Sequence, residues 1–279
     1  IGSGALFVNA GKMTVSNVMI RGAVPNTNDA AAIMCASSTL KMADSQISNT
    51  KGRGLKSIGC LLVVEDTLFN DNVATSDGGA MLLTSESELM LTSSTFVANK
   101  ADGDGGAIHL QECTTLEIKT SVFRGNTASR GGGLWMHSVP TGSQIEFNNF
   151  TSNTASRGGG GAVYRMGPIS PMLHANIFLN NVALYGKDRA TEPFKALVDR
   201  ISNDVVSNTI PISPIIVTLI DRYNSTVKDH TMVTLVEATS LEADIPLLST
   251  AQTTQAPFAG TTGIAPFDHL ILAGNPGNH

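Results

Sequence analysis

The chain has 279 residues, of which 42% are hydrophobic, only 15% are charged and 27 are glycine. Its net charge of −5 excludes a nucleic-acid-binding protein, because the basic surface that such a protein needs is missing. The apolar runs are too short to cross a membrane as a helix, and a chain that begins at Ile1 is expected to be part of a longer protein. Low charge and many glycines favour β-structure with frequent turns.

A repeat of about 27 residues organises the first two thirds of the chain. Each copy has a phenylalanine followed three positions later by an asparagine. The phenylalanines are Phe69, Phe96, Phe123, Phe150 and Phe178, and the asparagines are Asn72, Asn99, Asn126, Asn153 and Asn181. A glycine pair follows the first four copies, at Gly78–Gly79, Gly105–Gly106, Gly132–Gly133 and Gly160–Gly161. Weaker copies around Ile20 and Ile47 bring the total to about seven repeats within residues 1–190.

Two further columns of apolar residues precede the phenylalanines. The columns are separated by two residues, which is the period of a β-strand with both side chains on one face. The first contains Val15, Met42, Val64, Leu91, Ile118, Ile145 and Leu173, and the second contains Met13, Leu40, Leu62, Leu89 and Leu116. A unit this short buries its apolar face only by stacking on its neighbours. We therefore predict a parallel β-helix of about seven coils over residues 1–190, with the phenylalanines stacked inside and the asparagines forming a ladder at a turn.

The combination of F-x-x-N with G-G-A or G-G-L resembles the repeat of the chlamydial polymorphic outer membrane protein family. Similar repeats occur in large surface proteins of protists and algae. The resemblance covers residues 4 to about 188. It implies a right-handed parallel β-helix that is secreted or exposed on a cell surface, with an adhesive or architectural role. Because the chain ends in a different kind of segment, the protist-type architecture is the nearer resemblance.

The repeat pattern stops near residue 190, and residues 191–204 are predicted to be a connector. Strand-like runs follow at Ile215–Ile220 and Thr231–Val236, and a turn is predicted at Asp221–Ser225. The last apolar positions and the final turn are Ile264, Phe267, Leu270, Leu272 and Asn275–Gly277. Residues 205–279 resemble the immunoglobulin-like modules that follow β-helices in large extracellular proteins. They would form an incomplete β-sandwich that lacks its last strand.

Acidic residues near the glycine pairs are the candidates for an enzyme site, because pectin-degrading enzymes cluster carboxylates on one face of a β-helix. The candidates are Asp77, Asp102, Asp104 and Glu112. Asp77 and Asp104 are expected at the same corner of adjacent coils, and the next coil is expected to place Gly131 there, beside Arg130. No third residue converges on this pair in the sequence pattern. Ordinary turn chemistry is therefore favoured, and the chain is predicted not to be an enzyme.

Histidine and aromatic residues of adjacent coils are weaker candidates. His109 and His137 are expected to be neighbours on successive coils, but they lack a third ligand, so neither a metal nor a cofactor is predicted. Trp135 and Tyr164 follow the glycine pairs of consecutive coils. Two roles are open for them, stacking on a carbohydrate or covering the strand surface.

Two kinds of covalent modification are suggested by the sequence. The three cysteines, Cys35, Cys60 and Cys113, are expected to be buried thiols. The alternative is one disulfide between neighbouring coils, and the odd count leaves a free thiol in either case. The sequons that begin at Asn149 and Asn224 make these two residues candidate glycosylation sites. Asn224 is the better candidate, since it lies in a predicted turn.

These features predict a non-enzymatic structural or adhesive protein that is extracellular or at a cell surface. Its expected partners are other protein subunits, copies of itself or surface glycans, bound through the faces of the β-helix. The main alternative is a carbohydrate-binding or pectin-lyase-like carbohydrate-active protein on the same scaffold. A second alternative is a bacterial surface adhesin of the polymorphic family.

Overall fold

A computed structural model describes residues 6–24, 31–167, 172–198, 215–228, 233–236, 254–257 and 264–267. The chain divides into two compact units, Ile1–Glu192 and Pro193–His279. The described residues form strands and turns without any helix. Accordingly, this part of the chain contains no helix of the length and apolarity that a membrane span requires.

The first unit is a parallel β-solenoid in which each coil adds one strand to each of three main sheets. Sheet A comprises Leu6–Asn9, Ala31–Ala36, Arg53–Ile58, Met81–Thr84, Ile108–Gln111, Leu134–His137, Val163–Met166 and Arg189–Thr191. Sheet B comprises Lys12–Ser16, Thr39–Ala43, Leu61–Glu65, Glu88–Thr92, Thr115–Lys119, Gln144–Glu146 and Met172–His174. Sheet C comprises Met19–Arg21, Gln46–Ser48, Leu68–Asn70, Thr95–Val97, Val122–Arg124, Asn149–Thr151 and Ile177–Leu179. A short sheet D comprises Val73–Ala74, Lys100–Ala101, Thr127–Ala128 and Thr154–Ala155.

Seven stacked strands in sheets B and C span six steps between coils, so the solenoid makes about six turns. The predicted parallel β-helix is thereby confirmed, and its right-handedness stays a prediction. The predicted apolar columns lie in register: Leu62 and Leu89 are Cα partners in sheet B, as are Val64 and Leu91. All four side chains are fully buried.

The five phenylalanine rings form one stack inside the solenoid. From Phe69 to Phe178 the centroids of successive rings are 4.9, 4.9, 4.6 and 5.4 Å apart, and the ring planes are nearly parallel. This spacing matches the separation of about 4.8 Å between hydrogen-bonded strands. Each coil therefore continues the core of its neighbour, and the ring stack follows from the repeat length of the sequence.

The asparagines form a ladder of buried amides at the corner between sheets C and D. Asn126 shows the pattern: its Oδ1 accepts hydrogen bonds from the backbone N and the Nδ2 of Asn99, both at 3.0 Å. Its own Nδ2 donates to Asn153 Oδ1 at 2.9 Å and to the carbonyl of Phe96 at 3.1 Å. Asn126 is fully buried, so these bonds replace the water that the amide loses on folding. At the last coil Asn181 Nδ2 donates to Asp188 Oδ1 at 3.0 Å.

A second polar ladder, which the sequence analysis missed, lines the corner between sheets B and C. Ser94 N donates to Ser121 Oγ at 3.2 Å, and Ser121 N donates to Asn148 Oδ1 at 2.9 Å. Asn148 Nδ2 then donates to Asn176 Oδ1 at 3.0 Å. A hydroxyl or amide residue stands two positions before each phenylalanine, and this regular position is the signal that identifies the ladder.

The turn residues next to these ladders adopt a left-handed backbone in coil after coil. Between sheets B and C the φ values are 55° at Asn17, 46° at Asp44, 49° at Ser93, 47° at Thr120 and 57° at Phe147. Asn and Asp tolerate this conformation, whereas Thr and Phe adopt it at a cost of about 1 kcal/mol or more. The turn geometry is therefore imposed by stacking between coils rather than by local preference alone.

The cysteines divide between a bridge and a free thiol. Cys35 and Cys60 form a disulfide between neighbouring coils, with Cα atoms 6.3 Å apart. The bridge closes the chain between Cys35 and Cys60 into a loop, and closing a loop of that many residues stabilises the fold by about 3 kcal/mol. Cys113 is free and buried, and burial raises the pKa of its thiol to about 12.

We expect the Cys113 thiol to react with iodoacetamide about a thousandfold more slowly in the folded protein than in urea, because only the thiolate is nucleophilic. Mass spectrometry of labelled protein at about pH 8 measures both rates. The Cys113→Ser variant, which should take up no label in either condition, is the control. Rapid labelling of the folded chain would contradict the buried position of Cys113.

The second unit contains small antiparallel sheets. Pro193–Val198, Ile215–Asp221 and Ile264–Phe267 form one, and Val233–Val236 and Thr254–Pro257 form the other. The turn predicted at Asp221–Ser225 is present: Asp221 Oδ1 accepts hydrogen bonds from the backbone N of Tyr223 and of Ser225.

Pro193–Val198 is a strand, although it falls within the predicted connector 191–204; its proline is the first residue of an edge strand, where a missing N–H is tolerated. The immunoglobulin-like sandwich stays a prediction. Leu270, Leu272 and Asn275–Gly277 lie outside the described residues.

Candidate functional site

The glycine-rich loops that enter sheet A bring charged side chains of successive coils together. Gly105 N donates to the carbonyl of Arg130, and Gly106 N donates to that of Gly131. The structural pair in this coil is therefore Gly131–Gly132, and the predicted pair Gly132–Gly133 is wrong by one residue. The register explains the error, because Ile108 pairs with Leu134 and this coil is one residue shorter at that point.

The two glycines of a pair serve different purposes. The first has a positive φ, which is 66° at Gly78, 70° at Gly105, 60° at Gly131 and 69° at Gly160. The second has an ordinary φ but no space for a side chain: a Cβ on Gly106 would lie 2.7 Å from the backbone N and O of Thr127. The pair thus permits both a left-handed turn and direct backbone contact between coils.

Asp77, Asp104 and Arg130 occupy equivalent positions on three successive coils. Arg130 occupies the position that is equivalent to Asp77 and Asp104, so the expectation that Gly131 lies there is wrong. Asp77 Oδ1 accepts the backbone N–H of Asp104 at 2.7 Å. Arg130 Nε and Nη2 donate to the two carboxylate oxygens of Asp104 at 3.1 and 2.6 Å. Both predicted carboxylates are therefore engaged in holding neighbouring coils together.

The burial of Asp104 and the raised pKa of Arg130 also indicate that this pair holds neighbouring coils together. Asp104 is only 8% exposed. Burial by itself lowers the pKa of Arg130, but its hydrogen bonds to Asp104 and the charge of that carboxylate raise the pKa above its usual range. A bidentate pair of this kind is among the stronger polar contacts in proteins.

The other two predicted carboxylates do not join this pair. Asp102 is exposed and lies 3.5 Å from Lys100 Nζ. Glu112 is exposed in the turn after Ile108–Gln111, at the other end of the strand that Asp104 precedes. Across the residues that the structure describes, no group of three His, Cys, Asp or Glu side chains is placed to hold a metal ion.

His109, Trp135 and Tyr164 form a column on the outward face of sheet A. The rings of His109 and Trp135 stack with centroids 4.0 Å apart, and Tyr164 lies under the Arg130 guanidinium at 5.2 Å. The three residues are only 4%, 6% and 1% exposed. Trp135 and Tyr164 therefore cover the strand surface and are not available to stack on a carbohydrate. His109 aligns with Trp135, so the prediction that His109 and His137 are neighbours is wrong. His137 pairs with Gln111.

His109 is a buried titratable group with an unusual environment. Its Nδ1 and the Nε1 of Trp135 lack a hydrogen-bond partner among the described residues, and Nδ1 lies 3.9 Å from Asp77 Oδ1. Burial lowers the pKa of His109 and outweighs the charges of Asp77 and Asp104, which raise it; Arg53 lowers it further. The imidazole is thus kept neutral at neutral pH.

We expect the free energy of unfolding to decrease as the pH falls below about 6.5, the pKa of an unfolded histidine. The folded pKa of His109 is lower, so the unfolded state binds the proton first. The slope contributed by this residue is positive between the two pKa values and stays below about 1.4 kcal/mol per pH unit, which is the limit for a single proton. Urea unfolding of wild type and His109→Gln at several pH values measures this difference.

The matched control is His137→Gln, which changes the same side chain in the same sheet at a half-buried position. A pH slope that changes in His109→Gln and not in this control would assign the effect to the buried imidazole of His109. An identical slope in the wild type and in His109→Gln would contradict a proton-linked role of His109.

The two candidate glycosylation residues lie in different settings. Asn149 is half-buried in sheet C between the strands of Val122 and Ile177. Its Oδ1 accepts a hydrogen bond from Thr151 Oγ1 at 2.5 Å. Asn224 is exposed in a turn with φ of 63°, where its side chain is open to modification. Glycosylation at either residue stays a prediction.

The model of the Chlamydia polymorphic membrane protein repeat matches residues 93–111. The match includes Phe96, Asn99 and the pair Gly105–Gly106, which are the ladder and loop residues of one coil. The β-solenoid fits a repeat of this type. No curated protein matches the chain, and no solved structure matches it.

Proposed function

We propose that this chain is a non-enzymatic structural or adhesive protein of a cell surface or extracellular space. In this proposal the solenoid is a stiff scaffold, and binding takes place on the outward faces of its sheets. The observation that carries the proposal is the use of the polar residues of the repeat. The Asn ladder, the Ser and Asn ladder and the Asp104–Arg130 pair all join one coil to the next.

Two further observations support it. The candidate carboxylates Asp77 and Asp104 are engaged between coils, and no third carboxylate joins them within the described part of the solenoid. The matched repeat comes from a family described as a polymorphic membrane protein of Chlamydia. A role at a surface, with an extracellular location, agrees with both.

The proposal is tested with the full chain immobilised on beads. Coated beads are expected to adhere to cells, to a glycan array or to beads that carry the same chain, whereas incubation with plant and microbial polysaccharides should release no new reducing ends. A variant with Asp77 and Asp104 both changed to Asn separates the alternatives, because it should leave adhesion unchanged provided that the chain stays folded. Polysaccharide cleavage that this variant loses would overturn the non-enzymatic assignment.

A further inference from the structure

The interior of sheet A changes character at the C-terminal end of the solenoid. One interior column runs through four coils and ends at Arg189; its earlier members are Met81, Ile108, Leu134 and Val163. These four apolar side chains are fully buried, whereas Arg189 is exposed. The last strand of sheet A therefore has a cationic side chain where the preceding coils have an apolar one.

The neighbouring interior column changes in the same way one coil earlier. Leu83, Leu110 and Met136 occupy it on three successive coils, and all three are fully buried. Arg165 follows Met136 in this column, and Thr191 follows Arg165. Both interior columns of sheet A therefore become polar within the last two coils, so the apolar core ends inside this chain segment.

Arg189 covers the end of the phenylalanine stack. One face of the Phe178 ring stacks on Phe150, and the guanidinium carbon of Arg189 lies over the ring, 5.6 Å from its centroid. This distance is within the range of a cation–π contact. An arginine can lay its planar head and apolar stem on an aromatic ring while its charge stays in water. Arg189 thus covers the ring face that a further phenylalanine would otherwise occupy.

Asp188, the residue before Arg189, ends the asparagine ladder. Along the ladder each Nδ2 donates to the Oδ1 of the asparagine on the next coil, as Asn153 does to Asn181 at 3.1 Å. Asn181 Nδ2 donates instead to Asp188 Oδ1, at 3.0 Å. A carboxylate accepts hydrogen bonds but has no N–H to donate. Asp188 therefore satisfies the last amide and passes no hydrogen bond on to a further coil.

The strand edges at this end are the reason that such a stop matters. Among the described residues, Met172–His174 and Ile177–Leu179 are the last strands of sheets B and C. The edge of a last strand presents N–H and C=O groups that can pair with a strand of another chain. Inward-pointing charges oppose this pairing, because a strand added at the edge would remove them from water. Arg165 and Arg189 stand in interior columns and are charges of this kind.

We propose that Asp188 and Arg189 form a polar cap that ends the solenoid core and prevents a second copy of this chain from stacking on its C-terminal end. A coil placed there would bury the guanidinium of Arg189 and the carboxylate of Asp188 without supplying partners for them, and the loss of hydration opposes that contact. The inference goes beyond the proposed function and does not rest on it, because it concerns where the stack of coils ends and not what its faces bind.

The double variant Asp188→Asn/Arg189→Val removes both features of the cap. Asparagine has an N–H that can donate onward, and valine repeats the residue that the preceding coil, at Val163, has in this column. Sedimentation velocity of the full chain is expected to show self-association at least about tenfold stronger than in the wild type. Hydrogen exchange at high concentration should then show new protection of Met172–His174 and Ile177–Leu179 in the variant alone.

The matched control Asp102→Asn/Arg124→Val makes the same two changes at exposed positions away from this end. It should sediment like the wild type, and any association through the sheet faces would be common to all three proteins. Circular dichroism checks that each is folded. Arg189→Val alone, which keeps the end of the ladder, should give a smaller increase and is the test if the double variant does not fold. A folded cap variant that associates no more than the wild type or the control would overturn the cap.

Discussion

Replacing Asn126 with leucine is expected to lower the free energy of unfolding by about 4 kcal/mol or more, which is enough to unfold a marginal solenoid. The two side chains have similar volumes, so a cavity does not explain the loss. The change instead leaves the N–H groups of Asn99 and the carbonyl of Phe96 without their buried partner. Each such group costs about 1–3 kcal/mol when it is buried and unpaired. Urea unfolding followed by circular dichroism measures the difference.

Asn70→Leu is the matched control for this prediction. Asn70 lies in the same coil as Phe69, but its amide donates at the surface to its neighbour Asp71. Its replacement should change stability by no more than about 0.5 kcal/mol. If Asn126→Leu proved as mild as Asn70→Leu, the amide ladder would not be what holds the coils together.

Replacing Gly106 with alanine is expected to lower the free energy of unfolding by more than about 4 kcal/mol, although it adds a single methyl group. The new Cβ would overlap the carbonyl of Gly132 on the next coil and lie 2.7 Å from the backbone of Thr127. Backbone atoms of a stacked coil have no rotamer through which to move aside, so the coils must separate. Thermal unfolding and protection of the sheet A amides from hydrogen exchange measure the effect.

Gly142→Ala provides the comparison at a glycine whose Cβ would meet open space and whose φ is not positive. It should leave stability unchanged or raise it slightly, because alanine restricts the unfolded chain. Gly125→Ala isolates the effect of a positive φ without a steric clash, since its Cβ also meets nothing within 4 Å. A Gly106→Ala variant that resembles these two would refute the close backbone contact at the glycine pair.

These variants bear on function as well as on folding. A β-solenoid contains mainly contacts between successive coils, so the loss of one rung weakens the coils on either side. Under the proposed function, a surface scaffold that binds through its sheet faces would depend on this continuity. We therefore expect variants of the ladder or the glycine pair to lose adhesion in proportion to the fraction unfolded.

The solenoid is predictable from the sequence, since a fixed repeat length puts like residues on top of one another. Phe69 and Phe96 are one repeat apart, as are Asn99 and Asn126, and stacking at one strand spacing converts that period into columns. The residues inside the coil were predictable because burial of an apolar face allows a single register. The second polar ladder was equally periodic, and Ser121 and Asn148 show that its residue type changes along the column.

The contacts and burial of residues outside the core depend on how the coils pack in three dimensions and were not predictable from the repeat. One coil is shorter by a residue before Leu134, so Arg130 stands in the aspartate column and His109 meets Trp135. The sequence pattern did not locate this one-residue shift, because three glycines stand in a row there and the pair can be chosen among them in two ways. The His109 ring stacks on Trp135 and the Arg130 guanidinium lies over Tyr164, and both residues are buried, although strand periodicity alone places them on an outward surface. Periodicity fixes which side of a strand a residue occupies, whereas its exposure depends on which distant segment packs over that side.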